Sequence, residues 1–268
     1  MSAAALASSW RAQLALEFQQ SAGRTVLARR ASEGPLVVQK PLYPEGPEVC
    51  HAIVVHPPGG IAAGDQLALS VKCEGHALLT TPGAAKWYRS AGPWATQKLG
   101  FEVEGLLEWL PRETIVFDGA LADLKSEIRL GSEARYFGWE IVCLGRTGSG
   151  ERFSKGRICF DTRILMGEKL AWLERGEIEG GGALMRSPVG LAGCSVFGAL
   201  IAAAPSFSPQ LLKQCKEIAP TTLLPGLLVA RYLGDSTENA FAAFASIWKL
   251  LRPHVMGREA IEPRIWRT

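Results

Sequence analysis

Half of the cysteines and histidines fall in one short interval, and thiolate and imidazole groups are common ligands of transition metals. Five of the ten such residues lie between positions 50 and 76, namely Cys50, His51, His56, Cys73 and His76. If residues 50–56 form a strand, Cys50 and His56 share one face and His51 points the other way. The close paired spacing of a structural zinc site is missing, so no stable metal site is predicted. Transient binding of a metal such as nickel stays open beside a purely structural role of these residues in the core.

Familiar catalytic motifs are missing from the sequence. The stretch "EIVCLGRTGSGERF" gives Gly145 and Gly150 the spacing of a phosphate-binding loop, but Glu151 and Arg152 stand where that loop needs Lys and then Ser or Thr. We therefore interpret the segment as a hairpin turn at Gly148 to Gly150. No GxSxG or HExxH motif occurs, and the spacing of the four histidines supports no catalytic triad. No catalytic residue is predicted.

The loop "HPPGGIAAGD", residues 56–65, combines residue types that hold the chain in a specific shape. Proline cannot continue a helix, and glycine adopts backbone conformations that other residues avoid. The loop ends at Asp65, whose carboxylate could either serve a site or bind the backbone of its own turn.

The elements that carry these residues are predicted to be mainly strands. The chain has 268 residues, 47% of them apolar, and a formal charge of +3 without a basic run, which gives nucleic-acid binding little support. With 29 glycines and 16 prolines, the composition favours a turn-rich β-protein. The six cysteines form no CxxC pair and no signal peptide is evident, so a reduced, cytoplasmic protein is expected. The uncharged segment 189–204 is short for a membrane span and predicts buried strands.

Period-two alternation runs from Leu14 to about Leu200, for example in "LALSVKC" at residues 67–73, and indicates half-buried strands as in antiparallel sandwiches or barrels. The spacing of apolar residues changes in the last third of the chain, where it becomes typical of helices. Ser208 and Pro209 are typical of a helix start, and a longer helix is predicted from about residue 235 until Pro253. We expect one β-rich domain over residues 1–268, with stacked antiparallel or mixed sheets, a few helices in the C-terminal third, and a flexible segment 1–13.

Six blocks in this order resemble the urease accessory protein UreD family, called UreH in some organisms. They are "HPPGGIAAGD", "TTPGAAKWYRS" (80–90), "LEWLPRETIVFDGA" (107–120), "GWEIVCLGRTGSGERF" (138–153), "RYLGDSTENA" (231–240) and "GREAIEPRIWRT" (257–268). The resemblance runs from about residue 14 to the C-terminus. It implies a β-rich, cytoplasmic, non-enzymatic protein that joins UreF-like and UreG-like partners, docks on apo-urease and helps to install nickel. Neither nucleic acid nor a membrane is expected as a partner.

The resemblance also suggests where nickel would pass. We expect Asp65 on the wall of a water-filled path, with Glu140 and Glu174 as further contacts, because sparse carboxylates would bind the ion weakly and release it. No tightly bound cofactor is predicted, only transient nickel. The residues expected to shape the loop are His56, Pro57, Pro58, Gly59, Gly60 and Gly64. The residues expected to contact partners are Lys86, Tyr88, Arg89, Trp248, Arg258 and Trp266.

Three functions stay open from the sequence alone. The first is the maturation factor and nickel conduit just described. The second is a stand-alone β-fold metal-dependent enzyme that uses the Cys and His residues at 50–76. The third is a scaffold that holds partners without contacting nickel.

Overall fold

A computed structural model describes residues 9–267. The strands are β1 (Arg11–Ser21), β2 (Arg24–Glu33), β3 (Val37–Val38), β4 (Val49–Val55), β5 (Gln66–Cys73), β6 (His76–Thr80), β7 (Ala85–Trp87), β8 (Ala95–Val103), β9 (Leu106–Leu110), β10 (Thr114–Val116), β11 (Leu121–Leu130), β12 (Arg135–Leu144), β13 (Arg157–Met166), β14 (Lys169–Glu179), β15 (Val196–Ala203), β16 (Thr221–Leu224) and β17 (Leu227–Gly234). The α-helices are α1 (Ala183–Arg186), α2 (Pro209–Ile218) and α3 (Thr237–Met256), and short 3-10 helices cover Thr147–Ser149 and Arg264–Arg267. The predicted mainly-β fold class is confirmed.

The strands form two stacked sheets. Sheet 1 has seven strands in the order β14-β13-β11-β8-β5-β1-β2. Sheet 2 follows the order β16-β17-β15-β12-β9-β6-β4-β3, with the short strands β10 and β7 added beside β12. Between β4 and β13 the chain passes repeatedly from one sheet to the other, so strands that are consecutive in sequence seldom pair. The sheets are mixed, with parallel centres and antiparallel edges.

Side-chain alternation explains how the sheets pack. In β1, Ala12, Leu14, Leu16 and Phe18 are buried and the residues between them are more exposed, as the sequence pattern predicts. These side chains belong to a core between the two sheets. Burial of one large apolar side chain contributes roughly 1.5–3 kcal/mol, so this interior supplies much of the stability.

Strand β12 is buried on both faces. Phe137, Trp139 and Ile141 pack in a second core that α2 and α3 cover, whereas Tyr136 and Val142 face sheet 1. Because side chains alternate along a strand, Glu140 points toward sheet 1, into the space between the sheets. An ionisable residue is thereby placed beside the apolar core that fills most of the space between the sheets.

The C-terminal helices begin where the sequence predicts them. Ser208 caps α2 by accepting a hydrogen bond from Leu211 N, and Ser236 caps α3 by accepting one from Asn239 N. The prediction that Pro253 ends the long helix is wrong, because α3 continues to Met256. Val255 and Met256 are buried against sheet 2, and this packing holds the last turn despite the proline.

Three local predictions need correction. The turn near Gly148 joins β12 in sheet 2 to β13 in sheet 1, so it is not a hairpin. In segment 189–204 only Val196–Ala203 forms a strand, and Val189 is 95% exposed. Of the predicted flexible segment 1–13, residues 1–8 lie outside the described residues, and residues 11–13 belong to β1.

Within residues 9–267, no helix combines the length and the apolar character that crossing a membrane requires.

Candidate functional site

A row of polar side chains crosses the inner face of sheet 1. In the strand register Ser126 of β11 lies beside Thr162 of β13, and Thr162 lies beside Glu174 of β14. All three side chains line the same small cavity between the sheets. Because residues that are level with one another on neighbouring strands share a face, the three residues form one continuous polar line.

Sheet 2 supplies a facing row. Glu140 of β12 pairs with Ala199 of β15, which in turn pairs with Arg231 of β17. The methyl group of Ala199 leaves space between the two charged residues, and it lines both smaller cavities. We call the two rows together the polar row.

Three cavities meet at Glu140. Their volumes are about 390, 50 and 30 Å³, and Glu140 lines each of them. The largest is also bounded by His56, Gly60, Lys86 and Arg112, and it reaches the loop at residues 56–61. A water molecule occupies about 30 Å³ in the liquid, so the largest cavity has room for several. Glu140 therefore lies between the cavity that reaches this loop and the two cavities that line the polar row.

The Glu140 carboxyl group is poised between its charged and neutral forms. Burial and then the negative charge of Glu174 raise the pKa of Glu140 to about 7. No side chain or backbone group of residues 9–267 donates a hydrogen bond to this carboxylate. A carboxylate that faces a cavity without a donor is well suited to contact a cation or to hold a proton.

Glu174 has a different environment, because it forms an ion pair across the gap between the sheets. Arg231 Nη1 donates a hydrogen bond of 2.5 Å to Glu174 Oε1. The guanidinium carbon of Arg231 lies 5.3 Å from the ring centre of Trp172, in a cation–π contact. The structure therefore brings Glu140 and Glu174 together, and it adds Arg231 as a third charged group.

Glycines of the loop at residues 56–65 stand where a side chain would be unfavourable. Gly59 and Gly64 have φ angles of 73° and 84°, which side chains disfavour. A Cβ atom on Gly60 would lie 2.1 Å from the Tyr88 ring. Pro57 and Pro58 are exposed at the tip of the loop. Next to them, burial lowers the pKa of His56 while the charge of Asp65 opposes this shift.

Asp65 serves the loop and does not line the described cavities. One carboxylate oxygen accepts a hydrogen bond from Trp10 N at 2.8 Å, and the other accepts one from Ala62 N at 2.7 Å. The side chain is 1% exposed. The expected placement of Asp65 on the wall of the path is thus corrected: its carboxylate ties the end of the loop to the segment before β1.

The predicted partner contacts fall into two groups. Lys86, Tyr88 and Arg89 are exposed near the loop, and Tyr88 packs edge-on against Phe117. Trp248 is completely buried, so the structure assigns it to the core rather than to a contact surface.

The C-terminal candidates are tied to the chain itself. Trp266 packs on Trp139, Phe241 and Trp248 and donates a hydrogen bond to Thr80. Arg258 forms an ion pair with Glu48 at 3.2 Å. Both are half-buried, so at most part of each side chain is open to a partner.

The histidines at positions 51 and 76 are bound to carboxylates rather than gathered around a metal. His51 Nε2 lies 2.6 Å from Glu45, and His76 Nε2 lies 2.8 Å from Glu108. Arg252 of α3 donates hydrogen bonds to both carboxylates, at 2.7 Å and 3.0 Å. We call these five residues the Arg252 network. Among residues 9–267, no three His, Cys, Asp or Glu side chains are grouped to hold a metal ion.

Burial by itself would raise the pKa of Glu108, but the hydrogen bond from His76 and the charge of Arg252 lower it to about 2. Trp248 Nε1 donates a further hydrogen bond of 2.6 Å to this carboxylate. Every strong partner of Glu108 stabilises its charged form, so this group supports the fold and is not free for a ligand.

Sequence reasoning missed Ser126, Thr162, Arg231 and the Arg252 network. Ser126 and Thr162 could have been noticed as polar residues at inward positions of alternating strands. Arg231 and Arg252 gave no such signal, because their partners are 57 and 144 residues away along the chain.

Fold and site together define a two-sheet β-protein whose interior contains three cavities that share the carboxylate of Glu140. A family model described as UreD urease accessory protein matches residues 11–267. The chain belongs to the UreD family of urease accessory proteins, as the resemblance predicts.

Individual relatives agree with this assignment. A urease accessory protein UreD from Dechloromonas aromatica (strain RCB) is 50% identical, and the match covers 97% of this chain and 95% of that protein. One from Azoarcus sp. (strain BH72) is 50% identical, with 97% and 94% covered. One from Pseudomonas aeruginosa, strain PAO1, is 48% identical, with 97% and 95% covered.

Proposed function

We propose that this chain is a non-catalytic urease maturation factor that carries nickel through its interior to apo-urease. The observation that carries the proposal is that Glu140 lines three cavities between the sheets and that no described protein group donates a hydrogen bond to its carboxylate. An apolar interior has no structural need for an unpaired carboxylate, since burying one is costly. A function that uses the carboxylate accounts for its presence.

Nickel is the cargo in this proposal, so it must bind weakly and leave again. Imidazole and carboxylate groups both bind nickel, and the series of cavities offers them one at a time: His56 near the loop, then Glu140, then Glu174. The hydroxyl groups of Ser126 and Thr162 can hold water along the route. Dispersed oxygen ligands of this kind favour exchange over retention.

The partners in this proposal are UreF-like and UreG-like accessory proteins and apo-urease, assembled in the cytoplasm. Lys86, Tyr88 and Arg89 are exposed beside the loop that closes the largest cavity, and Tyr and Arg are enriched at protein interfaces. A partner that docks there would cover one end of the route.

The test is co-expression of this chain with matching urease subunits and the other accessory proteins. We would compare the wild type, Glu140→Gln, the outer-face control Glu102→Gln and omission of the chain. Three readouts are needed: urease activity, nickel per urease, and recovery of the accessory complex. Glu102 is paired with Lys72 on the outer face, and its side chain is 61% exposed.

We expect Glu140→Gln to assemble normally and to leave urease nickel-poor, while Glu102→Gln behaves as wild type. If urease fills equally without the chain, the maturation role is wrong. If omission matters but Glu140→Gln has no effect, the chain acts as a scaffold without contacting nickel.

A further inference from the structure

The Glu174 end of the polar row is already occupied by a cation that belongs to the protein. Arg231 and Glu174 come from different sheets, and both line the third cavity. Among the described residues that line the two smaller cavities, Arg231 is the only cationic side chain. A metal ion that arrives at Glu174 therefore meets a positive charge.

The ion pair has the features of a movable contact. The Arg231 side chain is 41% exposed and that of Glu174 is 25% exposed, so the guanidinium can move toward solvent while the Glu174 carboxylate keeps some contact with water. The Trp172 ring contacts the face of the Arg231 guanidinium and can hold that group when it has left Glu174. The positive guanidinium of Arg231 competes with an incoming cation for the Glu174 carboxylate.

We propose that Arg231 is a resident counter-cation, which a divalent cation displaces from Glu174 and which shortens the stay of that cation by returning. Arg231 is a positioning residue in this account, because it acts through Glu174. The inference rests on the proposed function and adds the feature that makes release from the row fast. Without the guanidinium, Glu140 and Glu174 would form an uncompensated acidic pair that retains the ion.

The test uses the full-length chain without a histidine tag, and Ni²⁺ alone as the probe. The variants are Arg231→Gln and Arg231→Met, which remove the charge, and Arg231→Lys, which keeps it. The matched control is Arg175→Gln, since Arg175 pairs with Asp161 on the outer face of sheet 1 at 2.7 Å. Equilibrium dialysis gives the dissociation constant, transfer to a chelating dye gives the release rate, and thermal unfolding checks the fold.

We expect the two neutral variants to bind Ni²⁺ on the order of tenfold more tightly and to release it correspondingly more slowly, because a nearby like charge has been removed. Arg231→Lys and Arg175→Gln should resemble the wild type. In the co-expression assay, the neutral variants should hold more nickel on this chain while urease receives less. A merely structural defect would lower both quantities.

Unchanged or weaker Ni²⁺ binding in both neutral variants overturns the inference, and so does an absence of measurable binding in them. Glu140→Gln separates the two proposals. If it weakens Ni²⁺ binding while the Arg231 variants match the wild type, the internal route stands and the counter-cation is wrong. If it leaves binding unchanged, the route itself is wrong.

Discussion

Two inward-facing glutamates on adjacent strands of sheet 2, Glu108 fully buried and Glu140 half-buried, have opposite environments. Glu108 on β9 faces helix α3, where His76, Trp248 and Arg252 donate hydrogen bonds to it. Glu140 on β12 faces sheet 1, where it meets cavities and the charge of Glu174. The pKa of Glu108 is lowered to about 2, and that of Glu140 is raised to about 7.

The difference separates a structural carboxylate from one that is available for function. Burial opposes the charge on both residues, so burial cannot explain why their pKa values lie on opposite sides of the ordinary value. The partners decide the outcome, because donors and a cation stabilise the charge on Glu108 whereas a second anion destabilises it on Glu140. A buried acidic residue becomes a site candidate when its partners are missing.

The largest expected loss of stability comes from removing Arg252, the cation that contacts Glu108. Arg252→Met leaves Glu45 and Glu108 buried without their main partner, and should lower the free energy of unfolding by about 3–5 kcal/mol. Urea denaturation at pH 7 measures the change. Arg258→Met, which removes the partly exposed partner of Glu48, is the control and should cost under about 1 kcal/mol. Similar losses for the two variants would contradict the structural role of the Arg252 network.

The charge on Glu140, which has no hydrogen-bond donor, should lower the free energy of unfolding. Folded Glu140 keeps its proton up to about pH 7, whereas the unfolded chain loses it near its ordinary value of 4.5. The folded state thus binds more protons in this window, so its stability falls as the pH rises and stays lower above about 7.

Glu140→Gln removes this dependence. The variant should be more stable than wild type at pH 8 by about 1–3 kcal/mol and show little difference near pH 4.5. Unfolding by urea at several pH values measures this contribution. A variant that is less stable than wild type at pH 8 would show that the carboxylate has stabilising partners in solution.

Asp65 belongs with Glu108, since both of its oxygens accept hydrogen bonds from backbone N–H groups. Asp65→Ala should cost about 1–3 kcal/mol, because two backbone N–H groups lose the buried carboxylate that accepts their hydrogen bonds. The control is Asp123→Ala, whose carboxylate is partly exposed and pairs with Lys125. Chemical denaturation of both variants provides the comparison. If Asp65→Ala keeps full stability and still blocks nickel delivery, Asp65 acts on the cation directly.

The smallest change in stability is expected for Thr162→Val. The substitution keeps the shape of the side chain and removes the hydroxyl group from the polar row, so the free energy of unfolding should change by less than about 1 kcal/mol. Nickel per urease in the co-expression assay should nevertheless fall, since a water position along the route is lost. Thr96→Val on strand β8 of the same sheet, outside the lining of the described cavities, is the matched control. Equal nickel content for both variants would remove Thr162 from the route.

The sequence predicts the strands of this fold better than their pairing. Alternation in Leu14 to Phe18 and in Leu67 to Cys73 identifies β1 and β5, and the two strands are indeed neighbours. Their parallel pairing has no sequence signal of its own, because side chains alternate with period two in either direction. The prediction that α3 ends at Pro253 was wrong for a similar reason, since the packing that keeps the last turn helical comes from sheet 2.

The site was partly predictable. Glu140 and Glu174, both named from the sequence, line the same small cavity. Asp65 accepts a hydrogen bond from Ala62 N of its own turn, the alternative that the sequence left open, and another from Trp10 N, 55 residues away. Arg231 and Arg252 act through partners on other elements, and no local pattern in the sequence reveals such pairs. Composition and motifs can thus nominate acidic residues, while only their neighbours show which of them are free.

The number of strands in sheet 1 sets the length of the polar row. Each strand contributes one residue at the same level: Thr162 follows Ser126 after the chain has passed through β12 of sheet 2, and Glu174 follows Thr162 on the antiparallel strand β14. Neighbouring strands lie about 4.8 Å apart, so the line from Ser126 through Thr162 to Glu174 spans roughly 10 Å. An inserted strand with a small polar residue at the same level would extend the route by one such step. The width of the route would stay the same, because the spacing between the sheets fixes the width and the number of strands fixes the length.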